Sequence, residues 1–187
     1  MRRRHLLALA GTGLSLSLAG CQETFGSEAT AEAPSYDCES AYRPPPTAPG
    51  TDDGQTVAPL DYPDRPNSLS SDSDAIAYVE DYERAYQRNR LLQRHGSELH
   101  QQNTSIEQSW TFAAPADAAI VRVQFSYGTA VEYGDEQAAY GDSWGEYATY
   151  YVDQSAVVRT GDRGEKDDPA DLGSDPWESA SVLECFE

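Results

Sequence analysis

The chain has 187 residues, with 32 aspartates and glutamates against 13 lysines and arginines, a formal net charge of −19. A surface this acidic repels nucleic-acid phosphates, which excludes DNA and RNA as partners. The length suits one domain and not comfortably two, and twelve tyrosines, three tryptophans and four phenylalanines supply a core despite the low mean hydropathy.

Arg2, Arg3 and Arg4 form a positive start, and Leu6 to Ala19 follow without a charge. That apolar run falls short of the roughly twenty residues needed to span a bilayer, so it reads as a removable export signal at residues 1–20. Arg3-Arg4 ahead of Leu6-Leu7 resembles the twin-arginine export signal. Leu18-Ala19-Gly20-Cys21 resembles a lipobox, whose cysteine receives a diacylglycerol and becomes the new N-terminus. The resemblance implies lipidation at Cys21, where two acyl chains give a stable anchor to the cell membrane, facing the exterior. An ordinary cleaved signal with a chance cysteine is the alternative. Cleavage removes three arginines and no acid, moving the charge from −19 to −22.

Residues 21–58 read as a lipid-anchored flexible stalk. Glu23 to Ala33 is rich in small and acidic residues, and Pro44-Pro45-Pro46, Pro49, Gly50 and Asp52-Asp53-Gly54 favour extended, hydrated chain. Residues 59–187 read as a single domain, entered through the turn-rich Tyr62-Pro-Asp-Arg-Pro66.

A helix follows. Ser71 and Asp74 have the spacing of a capping box, and Ala75, Tyr78, Val79, Tyr82, Ala85, Tyr86 and Leu92 make one apolar face. Acids at Asp72, Asp74, Glu80 and Asp81 and bases at Arg88, Arg90, Arg94 and His95 suit the helix dipole, and Gly96 ends the run.

The period then changes to two. Trp110 and Phe112 alternate with Thr111 up to Pro115; Val121, Val123, Phe125 and Tyr127 oppose Arg122, Gln124 and Ser126. Tyr147, Thr149 and Tyr151 oppose Ala148, Tyr150 and Val152, and Asp153-Gln154 turns the chain into Ala156 to Arg159. Val182 to Cys185 is the last strand. The expected fold is α+β, one long helix packed on a curved antiparallel sheet of about four to five strands, with one sheet face covered and one largely wet.

With Cys21 assigned to lipid, Cys38 and Cys185 remain as a pair outside the cytoplasm and are expected to form a disulfide, two separate buried thiols being the alternative. Asn103-Thr104-Ser105 is a glycosylation sequon on what reads as a polar connection. No catalytic residue, cofactor or metal ligand stands out. His95 and His100 flank the helix end, and no nucleophile-elbow, phosphate-loop or zinc-protease motif occurs. Asp162, Glu165, Asp167 and Asp168 could hold calcium loosely but lack the spacing of an EF-hand, so a solvated acidic loop is expected. Tyr147, Tyr150 and Tyr151 could line a pocket or pack against the helix.

Lys166 is the only lysine, and acids are spread along the whole chain. This balance resembles proteins of extreme halophiles, in which concentrated salt screens carboxylate repulsion to within about 3 Å. Signal, composition, and the segments Tyr62–Pro66, Glu83-Arg-Ala-Tyr86, Tyr150-Tyr-Val-Asp153 and Val158-Arg-Thr160 together resemble an uncharacterised family of haloarchaeal surface lipoproteins. The element order is similar to cystatin-like and nuclear-transport-factor-2-like (NTF2-like) topologies. The family resemblance implies no activity, and a shared topology does not imply a function. The expected role is a salt-adapted, membrane-anchored surface module that binds a small ligand or another surface protein without catalysis. The alternative is a small extracytoplasmic enzyme of the isomerase or hydratase kind, which needs an acid or histidine in a closed pocket.

Overall fold

A computed structural model describes residues 31–48, 57–69, 71–132, 139–163 and 168–186. The expected signal, Cys21, and Glu165 and Asp167 of the expected acidic loop lie outside the described residues, while Asp162 lies in a strand, paired with Tyr147, and not in a loop. Among those described, no helix is long and apolar enough to cross a membrane.

One helix, α1 (Asp72–His95), lies on a five-stranded antiparallel meander in the order β1-β2-β3-β4-β5. The strands are β1 (Leu99–Phe112), β2 (Ala119–Val131), β3 (Ala139–Val152), β4 (Ala156–Arg163) and β5 (Ser181–Cys185). The expected α+β architecture is therefore present. The Ser71 hydroxyl accepts a hydrogen bond from the Asp74 backbone N–H, and Gly96, at φ 57°, closes the other end.

Val121, Val123 and Phe125 of β2, Ala148, Tyr150 and Val152 of β3, Val157 of β4 and Leu183 of β5 meet Ala75, Tyr78, Val79 and Tyr82 of the helix in the main core. Leu91, Leu92, Leu99 and Val131 extend it toward the helix C-terminus. Tyr82 is the hub, with ring centroids 4.8 Å from Tyr62, 5.9 Å from Tyr78 and 5.9 Å from Tyr150. Such aromatic pairs add to the stabilisation from burial itself.

Three expectations change. The stalk does not run free to residue 58. The Ala31 N–H donates to Ala113, the Tyr42 N–H donates to Val182, and the Arg43 guanidinium pairs with Glu184. Asn89 clamps both backbone groups of Leu60, while the Tyr62 hydroxyl reaches the Pro44 carbonyl. The composition that favours extended chain is satisfied by extended chain lying on a surface.

Second, the outer sheet face is wet at one end only. Ile120, Tyr151, Ala156 and Val158 are buried there beneath Ala31, Tyr36, Leu172, Trp177 and Ala180. Third, β1 begins at Leu99, so Asn103 sits inside a paired strand opposite Gly128 and not on a connection. Its side chain is exposed.

Cys38 and Cys185 form the expected disulfide, with Cα atoms 5.8 Å apart. It staples the segment before the domain to the last strand.

Candidate functional site

The helix carries one buried carboxylate into the core. Glu83 is fully enclosed, on the turn above Val79 and one turn before Gln87. Arg159 meets it from β4, with Nε 2.9 Å from Oε2 and a terminal nitrogen 2.9 Å from Oε1. The Tyr150 hydroxyl, presented by the neighbouring strand, donates to Oε2, and Gln87 Nε2 donates to Oε1 at 2.6 Å. Tyr86 stacks over the guanidinium at 4.5 Å.

Cross-strand pairing explains why these groups meet. Tyr150 is the direct partner of Arg159, so both point to the helix side of the sheet. Burial works against the charge on Arg159, but the facing Glu83 carboxylate, the Tyr150 hydroxyl and the hydrogen bonds to Glu83 hold its pKa above the ordinary arginine value. Burial first, and then the Glu83 charge, raise the Tyr150 phenol well above its usual value, so it stays protonated and donates.

An ionised carboxylate offers about four acceptor sites. Four donors fill them: two from Arg159, one from Tyr150 and one from Gln87. Glu83 thus has no free lone pair for a substrate proton. A cleft of about 260 Å³ opens beside the pair, and Tyr86, Arg90, Glu146, Arg159, Ser179 and Ser181 are among its lining residues. The carboxylate lies behind Arg159 and not at its surface, since Arg159 keeps 11% side-chain exposure and Glu83 none.

A second buried cation lies on the outer face. Arg122 donates to the Thr149 hydroxyl at 3.0 Å and to the Pro169 and Asp171 carbonyls, each at 2.8 Å. It thereby holds the 168–180 segment over the sheet. A third pair closes the edge, where Tyr82 donates to Glu184 at 3.2 Å and Arg43 lies 4.4 Å over the Tyr62 ring.

The expected candidates do not converge. His95 ends the helix, while His100 lies 3.5 Å from Glu132 beyond it. The three tyrosines of β3 split between faces. Tyr150 packs against the helix; Tyr151 meets Trp177 edge-on at 6.1 Å and Tyr147 lies 6.3 Å from Trp110 on the outer side. Of the acidic candidates, Asp162 belongs to β4 opposite Tyr147, and Asp168 accepts from the Ala170 N–H. Among the described residues, no group of three His, Cys, Asp or Glu side chains is placed to hold a metal ion.

Glu83 and Arg159 went unrecognised in the sequence, although both left a mark. Glu83 falls inside the apolar stripe between Val79 and Tyr86, and Arg159 continues the inward register of Val157. A charge in an apolar stripe and a charge of opposite sign in an inward strand position are the signature of a buried pair.

No protein-family model, curated protein or solved structure matches the chain.

Proposed function

We propose that the chain is an exported, lipid-anchored surface protein whose domain binds a partner and does not catalyse a reaction. The observation that carries this reading is the closed state of the interior. Tyr82, Tyr150 and Phe125 fill the space between helix and sheet, and every acceptor site of Glu83 is used. An isomerase or hydratase needs an acid or base inside a closed pocket; here the core carboxylate faces its own arginine, and Glu146, which lines the adjoining cleft, is only half-buried.

Compartment follows from three features acting together. The Arg2–Arg4 start, uncharged stretch and Cys21 supply an address; the Cys38–Cys185 disulfide suits an oxidising environment; and a charge of −19 suits concentrated salt. The 31–48 segment crosses the outer sheet face to the β5 edge, so from residue 31 onward it belongs to the domain and not to a free tether.

Crosslinking in intact cells at native salt tests the binding role. A discrete adduct that disappears when Cys21→Ser releases the protein into the medium is expected. Turnover of a small carbonyl or hydroxyacid substrate, abolished by Glu83→Gln in a protein that remains folded, would establish the enzymatic reading instead.

A further inference from the structure

Beyond Glu146 with Arg163, the last β3–β4 pair among the described residues, strands β1, β2 and β3 continue as a three-stranded ribbon. Its inner face meets the helix C-terminal half through Leu99 and Val131. Its outer face is a different surface from the buried end, and the register defines what it displays. One row is Gln101, Ala130 and Tyr140; the next is Asn103, Gly128 and Asp142. In the third, Ser105 pairs with Ser126, which lies between the pairs Phe125–Glu146 and Tyr127–Ser143, opposite the bulged Trp144-Gly145 of β3, where Gly145 takes φ 59°. The bulge matters because an extra residue in β3 lets Tyr140, Asp142 and Trp144 share the outer face with Tyr147 and Tyr151.

The three rows form a trough. Its floor is the small residues of the central strand, half-buried at Ser126 and Gly128 and closed over at Ala130, its one rim is aromatic and its other rim carries amides. Trp144 is 82% exposed and Tyr140 79%, the two most exposed large apolar side chains of the described residues. They stand about 13 Å apart along the strand, and the trough is about 10 Å across. At Gly128 a Cβ atom would lie 2.7 Å from Asn103 Oδ1 and 3.1 Å from Asp142 Oδ1. Polar heads from both rims therefore lean over bare backbone, in space that any side chain at 128 would occupy.

We propose that this trough binds a neutral oligosaccharide, its sugar rings stacked on Trp144 and Tyr140 and its hydroxyls held by Asn103, Asp142 and Gln101. A sugar ring has an apolar C–H face and a rim of hydroxyls that both donate and accept. Exposed aromatic faces match the first, and a carboxylate beside two amides matches the second. Charge selects among ligands. None of the nine residues in the three rows is lysine or arginine, Asp142 is negative, and the chain carries −19, so an anionic polymer is repelled. The proposal deepens the surface-module reading by naming its partner, and it requires an unmodified Asn103.

The test is calorimetric titration of the intact, disulfide-bonded chain in molar potassium chloride with cellohexaose, maltohexaose and mannohexaose, and with hexagalacturonate as the anionic probe. At least one neutral hexaose should bind and the galacturonate should bind at least about tenfold more weakly. Trp144→Ala should weaken the neutral sugar by about tenfold or more, with an unchanged unfolding midpoint. Gly128→Ala, which displaces the flexible Asn103 amide and leaves the strands paired, should weaken it several-fold. Failure of all three neutral sugars to bind overturns the proposal, as does equal binding by Trp144→Ala or a glycan on Asn103 in the native protein. Self-association lost in Trp144→Ala, without sugar binding, would make the face a contact between copies. A cellular crosslink that survives Trp144→Ala would leave the module reading standing and overturn this one.

Discussion

Replacing Glu83 by leucine removes the anion from a pair in which Glu83 has no exposure and Arg159 has 11%. The guanidinium then remains buried without its counter-charge, and breaking such a pair from one side costs about 3–5 kcal/mol. Tyr150 and Gln87 also lose their acceptor, but part of that loss is already counted in the same figure. A domain of this size is stable by about 5–15 kcal/mol, so the variant should be marginal, with a midpoint lower by roughly 6–20 °C. Glu83→Leu with Arg159→Met should recover much of the loss, because the double variant no longer desolvates either charge. The remaining deficit comes from the Tyr150 hydroxyl and Gln87 amide, at about 1–3 kcal/mol for each group left unsatisfied. Urea unfolding in molar potassium chloride, followed by tryptophan fluorescence, measures all three variants. A single-variant cost below about 1 kcal/mol, or a double variant worse than either single one, would refute the closed ion-pair account.

Three further outcomes follow from the same structure. Reducing the Cys38–Cys185 bridge, which spans 147 positions, should lower stability by about 2–5 kcal/mol; an unchanged urea midpoint after complete reduction would contradict the pairing. His95 has its pKa lowered by burial and then by Arg94, so the folded state binds its proton less readily than the unfolded state does. Its contribution is fully present above about pH 6.5 and is lost as pH falls through the folded value; an NMR titration midpoint at or above about 6.5 would reverse the sign. Dialysis into low salt should loosen the fold, because carboxylate repulsion is screened over about 3 Å at 1 M salt but over about 30 Å at 0.01 M. Unchanged circular dichroism in both conditions would contradict salt adaptation.

How much of this was legible in the sequence depended on whether a signal was local. The helix was readable because its caps, dipole and apolar stripe lie within one continuous segment, from Ser71 to Gly96. The central strands were readable for the same reason, through their strict alternation. The first half of β1 was not, because its exposed positions are Gln, Asn, Ser and Glu, whose strand character comes only from pairing with β2. The packed segment at 31–48 was hidden because a proline-rich composition specifies extension without specifying what it lies against. The trough was hidden for a further reason. Its nine residues come from three strands, and a bulge at Trp144-Gly145 decides that those of β3 share one face.

The anchored-module account is tested most directly at the N-terminus of the native protein. Mass spectrometry of the chain extracted from its own membranes should find no peptide before Cys21, and should find Cys21 as the N-terminal residue carrying a diacylglyceryl group. An intact N-terminus at Met1, or a cleaved chain with an unmodified Cys21, would contradict it.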